Sequence, residues 1–379
     1  MYNYRERYQQ LNENFHQGVH TKLPETGMEI RFCRFNSILC DEESASSQQL
    51  LTINENFTFD YPVFLPENTA PHGRAILLLH GLNERSWSKY LPWAEQLTAL
   101  TGQPVILFPI AFHINRAPLD WSNPRSLTGL LNLRKHRYGG DRSVSFANVT
   151  LSERISENPE RFYLSGRQTW ADLTGLFSEI RNGRHSLFKE GCRIDIFAYS
   201  IGAFLSQVAL MANEQNLFSD SRLFMFCGGS IFRSMCGISR SIMDRAAFNR
   251  LQDYYVNHFG CEPLERWRRD NAFNAFFRMI LPDREQSERE GFFTRIRNRI
   301  AGVSLAKDSV IPYHGVRDAL GGATAESVIT LQDFPFDYTH ENPFPLQTKD
   351  QNSLNAAFGN LFSRAAAFFA CPPYRVVEQ

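Results

Sequence analysis

Residues 193–207 read R-I-D-I-F-A-Y-S-I-G-A-F-L-S-Q, and the fold turns on how they are read. A largely apolar run, 194–198, stops at Tyr199 and Ser200. Helical periodicity starts immediately afterwards, with Ile201, Phe204, Leu205, Val208, Ala209 and Ala212 on one stripe. Ser200 therefore sits where a short buried strand turns into a helix. Such a turn presses one side chain into a cramped, exposed backbone position. A serine held there projects its hydroxyl above the sheet edge, and the N-terminus of the next helix favours negative charge beside it.

Outward from this stretch the same grammar repeats. Residues 75–79, A-I-L-L-L, form a continuous apolar run of the kind buried on both faces of a sheet, and it ends at His80-Gly81-Leu82-Asn83. A helix is predicted over 89–100 and a strand over 105–108, closed by Pro109. Strand, loop, helix, strand is the order that builds a parallel sheet. Further on, a helix is predicted at about 168–181 and strands at 223–227, 300–305 and 327–331. A final amphipathic helix, with a wide apolar face, runs over about 352–370. Upstream, 28–35 alternates and predicts a possible edge strand, 41–49 is polar and turn-like, and short β-type runs lie at 51–53 and 57–63. Two stretches break the rhythm, about 111–164 and 231–300. They are too long for plain connections and read as helical insertions over the sheet edge. The organisation expected is an N-terminal extension (1–49), one α/β domain (50–370) whose insertions form a lid, and a C-terminal tail (371–379).

Composition narrows the function classes. Forty basic residues balance 40 acidic ones, so nothing electrostatic argues for nucleic acid or an anionic membrane. The chain of 379 residues holds 32 Phe, which suggests a large aromatic core, apolar pocket walls, or both. Seven cysteines (Cys33, Cys40, Cys192, Cys227, Cys236, Cys261 and Cys371) make an odd count with no C-x-x-C pair, and read as reduced thiols. The N-terminus is charged and lacks the apolar core of a signal peptide. No stretch approaches the ~18 consecutive apolar residues of a membrane span. The expectation is a soluble cytoplasmic protein with no nucleic-acid partner and no stable membrane insertion. His16 and His20 lie four apart but lack a third ligand, so they read as a solvated pair. No phosphate-loop motif occurs.

The pattern A-x-S-x-G, with Ala198 in the place of the first glycine, resembles the nucleophile elbow of the α/β-hydrolase superfamily. That resemblance implies an acid and then a histidine on loops after later strands. Asp308 follows the strand 300–305 within A-K-D-S-V-I-P, and His340 follows the last strand, before the final helix. Taken singly, Asp308 also fits a turn cap, and His340 a surface histidine. His314 lies too soon after Asp308, and Asp333 and Asp337 are weaker acids because they share the loop of the presumed base. His80-Gly81 resembles the superfamily's H-G dipeptide, although alone it also fits a tight turn. The resemblance gives the next residue, Leu82, a backbone N–H on the oxyanion, paired with that of Ile201. His80, Gly81, Asn83 and Tyr199 are expected at the site rim. Asn83, Glu84 and Arg85 read better as loop contacts than as substrate contacts.

Four signals in the right order imply an α/β-hydrolase fold, a mostly parallel sheet with helices on both faces. They imply hydrolysis of an ester or related acyl bond by Ser200, His340 and Asp308, with no metal or organic cofactor. The Phe-rich second insertion suggests a small-molecule acyl substrate of apolar character, as for a carboxylesterase, lipase or thioesterase. A peptidase or amidase of the same fold, and a non-catalytic hydrolase-like binding protein, remain alternatives.

Overall fold

The computed structural model describes residues 2–38, 53–67, 71–260 and 270–370. Cys40, Cys261, Cys371, the polar stretch 41–49, most of the run 51–53 and the tail 371–379 lie outside the described residues. In chain order the elements are α1 (Tyr4–Asn14), β1 (Thr21–Leu23), β2 (Met28–Asn36), β3 (Thr58–Leu65), β4 (His72–Leu79), α2 (Leu91–Thr101), β5 (Val105–Leu107), α3 (Pro124–Arg137), α4 (Val149–Glu157), α5 (Glu160–Arg181), β6 (Phe188–Tyr199), α6 (Ile201–Ala212), β7 (Leu223–Phe226), α7 (Arg245–Asp253), α8 (Asn271–Arg278), α9 (Gln286–Arg295), β8 (Ile300–Leu305), α10 (Tyr313–Leu320), α11 (Gly322–Val328), β9 (Ile329–Gln332) and α12 (Gln351–Ala370).

The strands form one nine-stranded sheet in the order β1-β2-β3-β5-β4-β6-β7-β8-β9. From β5 through β9 every pairing is parallel, whereas β1, β2 and β3 join antiparallel. The apolar runs explain how this sheet is covered. Along β4, Ala75, Leu77 and Leu79 enter one core layer and Ile76 and Leu78 the other. Along β6, Ile194, Ile196 and Ala198 face the first layer, and Phe197 and Tyr199 the second. Alternate side chains point to opposite faces, so a strand apolar at nearly every position needs helices on both sides. The first layer is closed by α5 and α6, through Leu173, Leu176, Phe177, Val208 and Ala209. The second is closed by α1, α2 and α12, through Tyr4, Leu11, Trp93, Leu97, Phe358 and Phe362. This is the α/β-hydrolase architecture. Parallel pairing sets the C-terminal ends of β4 to β9 along one edge of the sheet, and Ser200, Asp308 and His340 follow β6, β8 and β9 there.

Three expectations need correction. The strand at 28–35 is β2, but it is not at the edge, because β1 pairs outside it with Thr21 opposite Ile30. The helix expected from about 168 starts at Glu160, where the Asn158 side chain accepts from the Glu160 N–H at 3.0 Å. That start falls within the stretch read as an insertion. The last strand begins at Ile329, not 327, because α11 runs to Val328. Between β5 and α5 lie α3 and α4, and between β7 and β8 lie α7, α8 and α9. A buried ion pair, Arg134 with Asp244 at 2.5 Å, ties α3 to the N-cap of α7.

Candidate active site

Ser200 sits between β6 and α6 with φ 56° and ψ −122°. A non-glycine residue in this region carries backbone strain and needs its surroundings to hold it. Its N–H donates to the Phe226 carbonyl at 3.2 Å and its carbonyl accepts from Ala203 at 3.0 Å. Two glycines make room for the turn. A Cβ on Gly202 would lie 2.8 Å from the Leu79 carbonyl oxygen, and one on Gly228 would lie 2.8 Å from the Ser200 carbonyl oxygen.

The three residues expected to work together are brought together. Ser200 Oγ lies 2.7 Å from His340 Nε2, and His340 Nδ1 lies 2.8 Å from Asp308 Oδ2. The other Asp308 oxygen accepts the N–H groups of Val310 at 2.9 Å and Ile311 at 2.8 Å. A carboxylate can only accept hydrogen bonds. It therefore fixes the proton on Nδ1 and leaves Nε2 to accept from the serine hydroxyl. Ser200, Asp308 and His340 are each 5% exposed or less, which strengthens the electrostatics between them. The loop carrying His340 is anchored from below. The Tyr199 hydroxyl donates to the His340 carbonyl, and Lys89 Nζ donates to the Glu341 carbonyl at 3.0 Å. Neither anchor follows from the sequence reading, which took Tyr199 only as a rim residue. A tyrosine directly after the largely apolar run 194–198 is the available signal.

His80 departs from its expected place. It is fully buried and is not a rim residue. Its Nε2 accepts the Ile110 N–H at 2.9 Å, so Nδ1 carries the proton and donates to the Gly81 carbonyl at 2.8 Å. Burial, with His113 beside it, pushes its pKa well below the usual histidine range, so it is a neutral brace under the loop. Gly81 is held by the Tyr90 hydroxyl, which accepts its N–H at 2.9 Å and donates to Glu84 at 2.7 Å. Asn83 and Arg85 make loop contacts as expected. The Asn83 amide donates to the carbonyls of Ala147 and Ser241, each at 2.7 Å, and Arg85 donates to that of Ala147 at 2.6 Å. Asn83 thereby joins the loop after β4 to both stretches that interrupt the sheet grammar.

Gly81, Leu82, Asn83, Tyr199, Ser200 and His340 line one open cleft, which Ala147, Ser241 and Ile242 also border. Beside it lies a second, more apolar cavity whose walls include Ile201, Phe204, Leu205, Val208 and Phe276. Leu82, Asn83, Glu84 and Arg85 border both. No described residue accepts from the backbone N–H of Leu82 or Ile201. The other candidates stay apart: His314 and Asp337 are exposed, and Asp333 pairs with Lys307 at 3.2 Å and accepts from Tyr338 at 2.8 Å. His16 and His20 follow the end of α1, and the His20 Nδ1 accepts the Phe32 N–H at 3.1 Å. Among the described residues no group of three or more His, Cys, Asp or Glu is arranged to hold a metal ion, and no helix is long and apolar enough to cross a membrane.

The model of a family described as a family of unknown function, DUF6051, matches residues 2–370. No curated protein matches the chain. Among solved structures it is similar to a thermostable esterase from Pseudomonas putida ECU1011, at 9% identity and a TM-score of 0.47 over 97% of this chain and 90% of that one. It is also similar to a hyperthermophilic esterase from Pyrobaculum calidifontis, at 9% identity and a TM-score of 0.45 over 96% of this chain and 87% of that one. A thermostable carboxylesterase cloned from a metagenomic library gives 11% identity and a TM-score of 0.43 over 97% and 95% of the two chains.

Proposed function

We propose that the chain, which belongs to the DUF6051 family, is a serine hydrolase that cleaves an ester or related acyl bond. The observation that carries this reading is the unbroken chain of contacts from Ser200 Oγ through His340 to Asp308, at 2.7 and 2.8 Å. In the proposed reaction His340 Nε2 takes the Ser200 proton as Oγ bonds to the substrate carbonyl carbon. The carbonyl electron pair moves to oxygen, and that oxyanion is received by the free N–H groups of Leu82 and Ile201. Collapse expels the alcohol or thiol, which takes the proton from His340, and leaves an acyl-Ser200. Water, deprotonated by His340, repeats the sequence and releases the acid. Asp308 holds the imidazole in its working tautomer throughout.

The cavity beyond Leu82 and Ile201 supports an acyl group with substantial apolar surface, because Phe204, Leu205, Val208 and Phe276 form its walls. In the same reading, the stretches 111–164 and 231–300 act as a cover over the cleft. The test is labelling with a fluorophosphonate, alongside turnover of p-nitrophenyl esters and matched p-nitroanilides. Labelling is expected in the wild type and absent in Ser200→Ala, with esters turned over faster than anilides. A correctly folded wild type that is neither labelled nor active on any ester would overturn the proposal, and faster cleavage of anilides would make the protein an amidase.

A further inference from the structure

The cavity beside the cleft is apolar on the side of α6 but basic on the side of α4 and α5. Four arginines border it (Arg85, Arg154, Arg161 and Arg167), against one carboxylate, Glu84. Three of these arginines are engaged. Arg85 donates to the carbonyls of Phe146 and Ala147. Arg161 donates to Glu157 at 2.7 Å and to the Arg154 carbonyl at 2.8 Å. Arg167 pairs with Asp270. Glu84 is likewise taken, by Tyr90 and Lys89.

Arg154 differs. Its guanidinium lies 4.0 Å over the Trp121 ring and 5.8 Å from that of Phe112. No carboxylate or carbonyl among the described residues accepts a hydrogen bond from it. Burial, together with repulsion from Arg161 and only partly offset by Glu157, pushes its pKa down to about 10, so it remains charged at neutral pH. Aromatic stacking holds the flat faces of a guanidinium but leaves its N–H donors, which point outward in its plane, open to solvent or to a ligand. Five donors in a planar fork match the two oxygens of a carboxylate. A partly buried cation without an acceptor, in a cavity that adjoins the candidate nucleophile, is a built receptor for an anion.

We propose that the cavity binds an acyl chain ending in a carboxylate, with its reacting carbonyl at Ser200, its apolar stem against Phe204, Leu205 and Val208, and its distal carboxylate on Arg154. This rests on the hydrolase reading for the orientation of the substrate, but not for the existence of the anion site. A neutral chain would leave the guanidinium desolvated and unpaired. A carboxylate supplies the missing acceptor, and hydrogen bonds to charged groups contribute more than neutral ones.

The test separates binding from turnover. Ser200→Ala is titrated by calorimetry with the monomethyl esters of succinate, adipate, suberate and sebacate, and with the matching dimethyl esters. At one chain length or more, the monomethyl ester is expected to bind about tenfold tighter or better, a difference of about 1.4 kcal/mol. The preference should disappear in Ser200→Ala/Arg154→Met and fall in Ser200→Ala/Arg154→Lys, which keeps the charge but loses the fork. Should the Met variant fail to fold, the Lys variant alone reports the loss. Equal binding of the two ester series at every length overturns the proposal, as does a preference that survives both substitutions. A preference that depends on Arg154, in a wild type that a fluorophosphonate does not label, would keep the anion site and reject the hydrolase reading.

Discussion

The Tyr199 ring stacks on the His340 imidazole, with centroids 5.5 Å apart and planes at 17°, and its hydroxyl donates to the His340 backbone carbonyl. The residue before the candidate nucleophile thus holds the candidate base by ring and by backbone. Tyr199 is 1% exposed, so losing the hydroxyl leaves a buried carbonyl without a donor, at a cost of about 1–3 kcal/mol. Tyr199→Phe keeps the stacking and removes only this bond. The expected outcome is a folded protein, less stable to urea by that amount, with kcat down several-fold and KM little changed. Lost stability with an unchanged kcat would show that the bond serves packing alone.

Asp308 divides its two oxygens between the backbone and the ring, and that division makes Asp308→Asn informative. The amide oxygen can still accept from Val310 and Ile311, as Oδ1 does at 2.9 and 2.8 Å. The amide nitrogen then faces His340 Nδ1, where Oδ2 stood. A donor at that place favours the tautomer with its proton on Nε2, which cannot accept from Ser200. By the behaviour of such triads, kcat is expected to fall about 10⁴-fold with the fold intact. Circular dichroism and kcat on one ester measure both halves. A loss under tenfold would remove Asp308 from the proposed mechanism.

Where each element was readable depended on how local its cause was. The buried strands announced themselves because a run such as A-I-L-L-L supplies side chains to both faces of the sheet. The turn at Ser200 was readable because an apolar run gives way to helical periodicity at a single residue. β1 escaped because three residues, T-K-L, carry no alternation; only their pairing with β2 makes them a strand. The early start of α5 was local and was still passed over: Asn158-Pro159-Glu160 is a helix-start signal, hidden among the turn signals of 111–164. His80 was misplaced because an H-G dipeptide says where the chain turns, not which side of the loop faces the core. The walls contributed by Ala147, Ser241, Ile242 and Arg154 could not be read at all, since contacts between distant stretches leave no mark on spacing.

Gly228 gives the strained turn its clearance. A Cβ there would lie 2.5 Å from that of Ala203 and 3.1 Å from the Ser200 nitrogen. These are backbone and short side-chain atoms that cannot rotate away. Gly228→Ala must therefore push α6 and the Ser200 backbone off the sheet edge, and overpacking of this kind costs about 1–3 kcal/mol. The expected result is an earlier urea midpoint together with slower fluorophosphonate labelling, because the same shift moves Oγ away from His340. Gly359→Ala is the control, since nothing lies within 4 Å of its added carbon. That variant should label like the wild type and be no less stable to urea, since Ala favours a helix interior over Gly. If Gly228→Ala does too, the turn has slack that the close contacts deny.

Acid stability follows from histidines that burial keeps neutral. Burial pushes the pKa of His185 down to about 4 and also lowers those of His80 and His113. The His185 Nδ1 accepts the Leu187 N–H at 3.2 Å, and its Nε2 lies 2.8 Å from the Tyr61 hydroxyl. Protonating Nδ1 therefore removes an acceptor as well as burying a charge. In the unfolded chain a histidine titrates near its ordinary value of about 6.5. Between that value and about 4, the unfolded chain binds protons that the folded one refuses, so stability rises with pH across this window and is lost on acidification. Urea midpoints measured from about pH 7 down to about pH 4.5 should fall steadily below about 6.5. In His185→Gln, which cannot titrate there, the fall should be shallower while the other two histidines still contribute. A variant whose curve runs parallel to that of the wild type would mean that His185 gains its proton without cost, and that the acid sensitivity arises elsewhere.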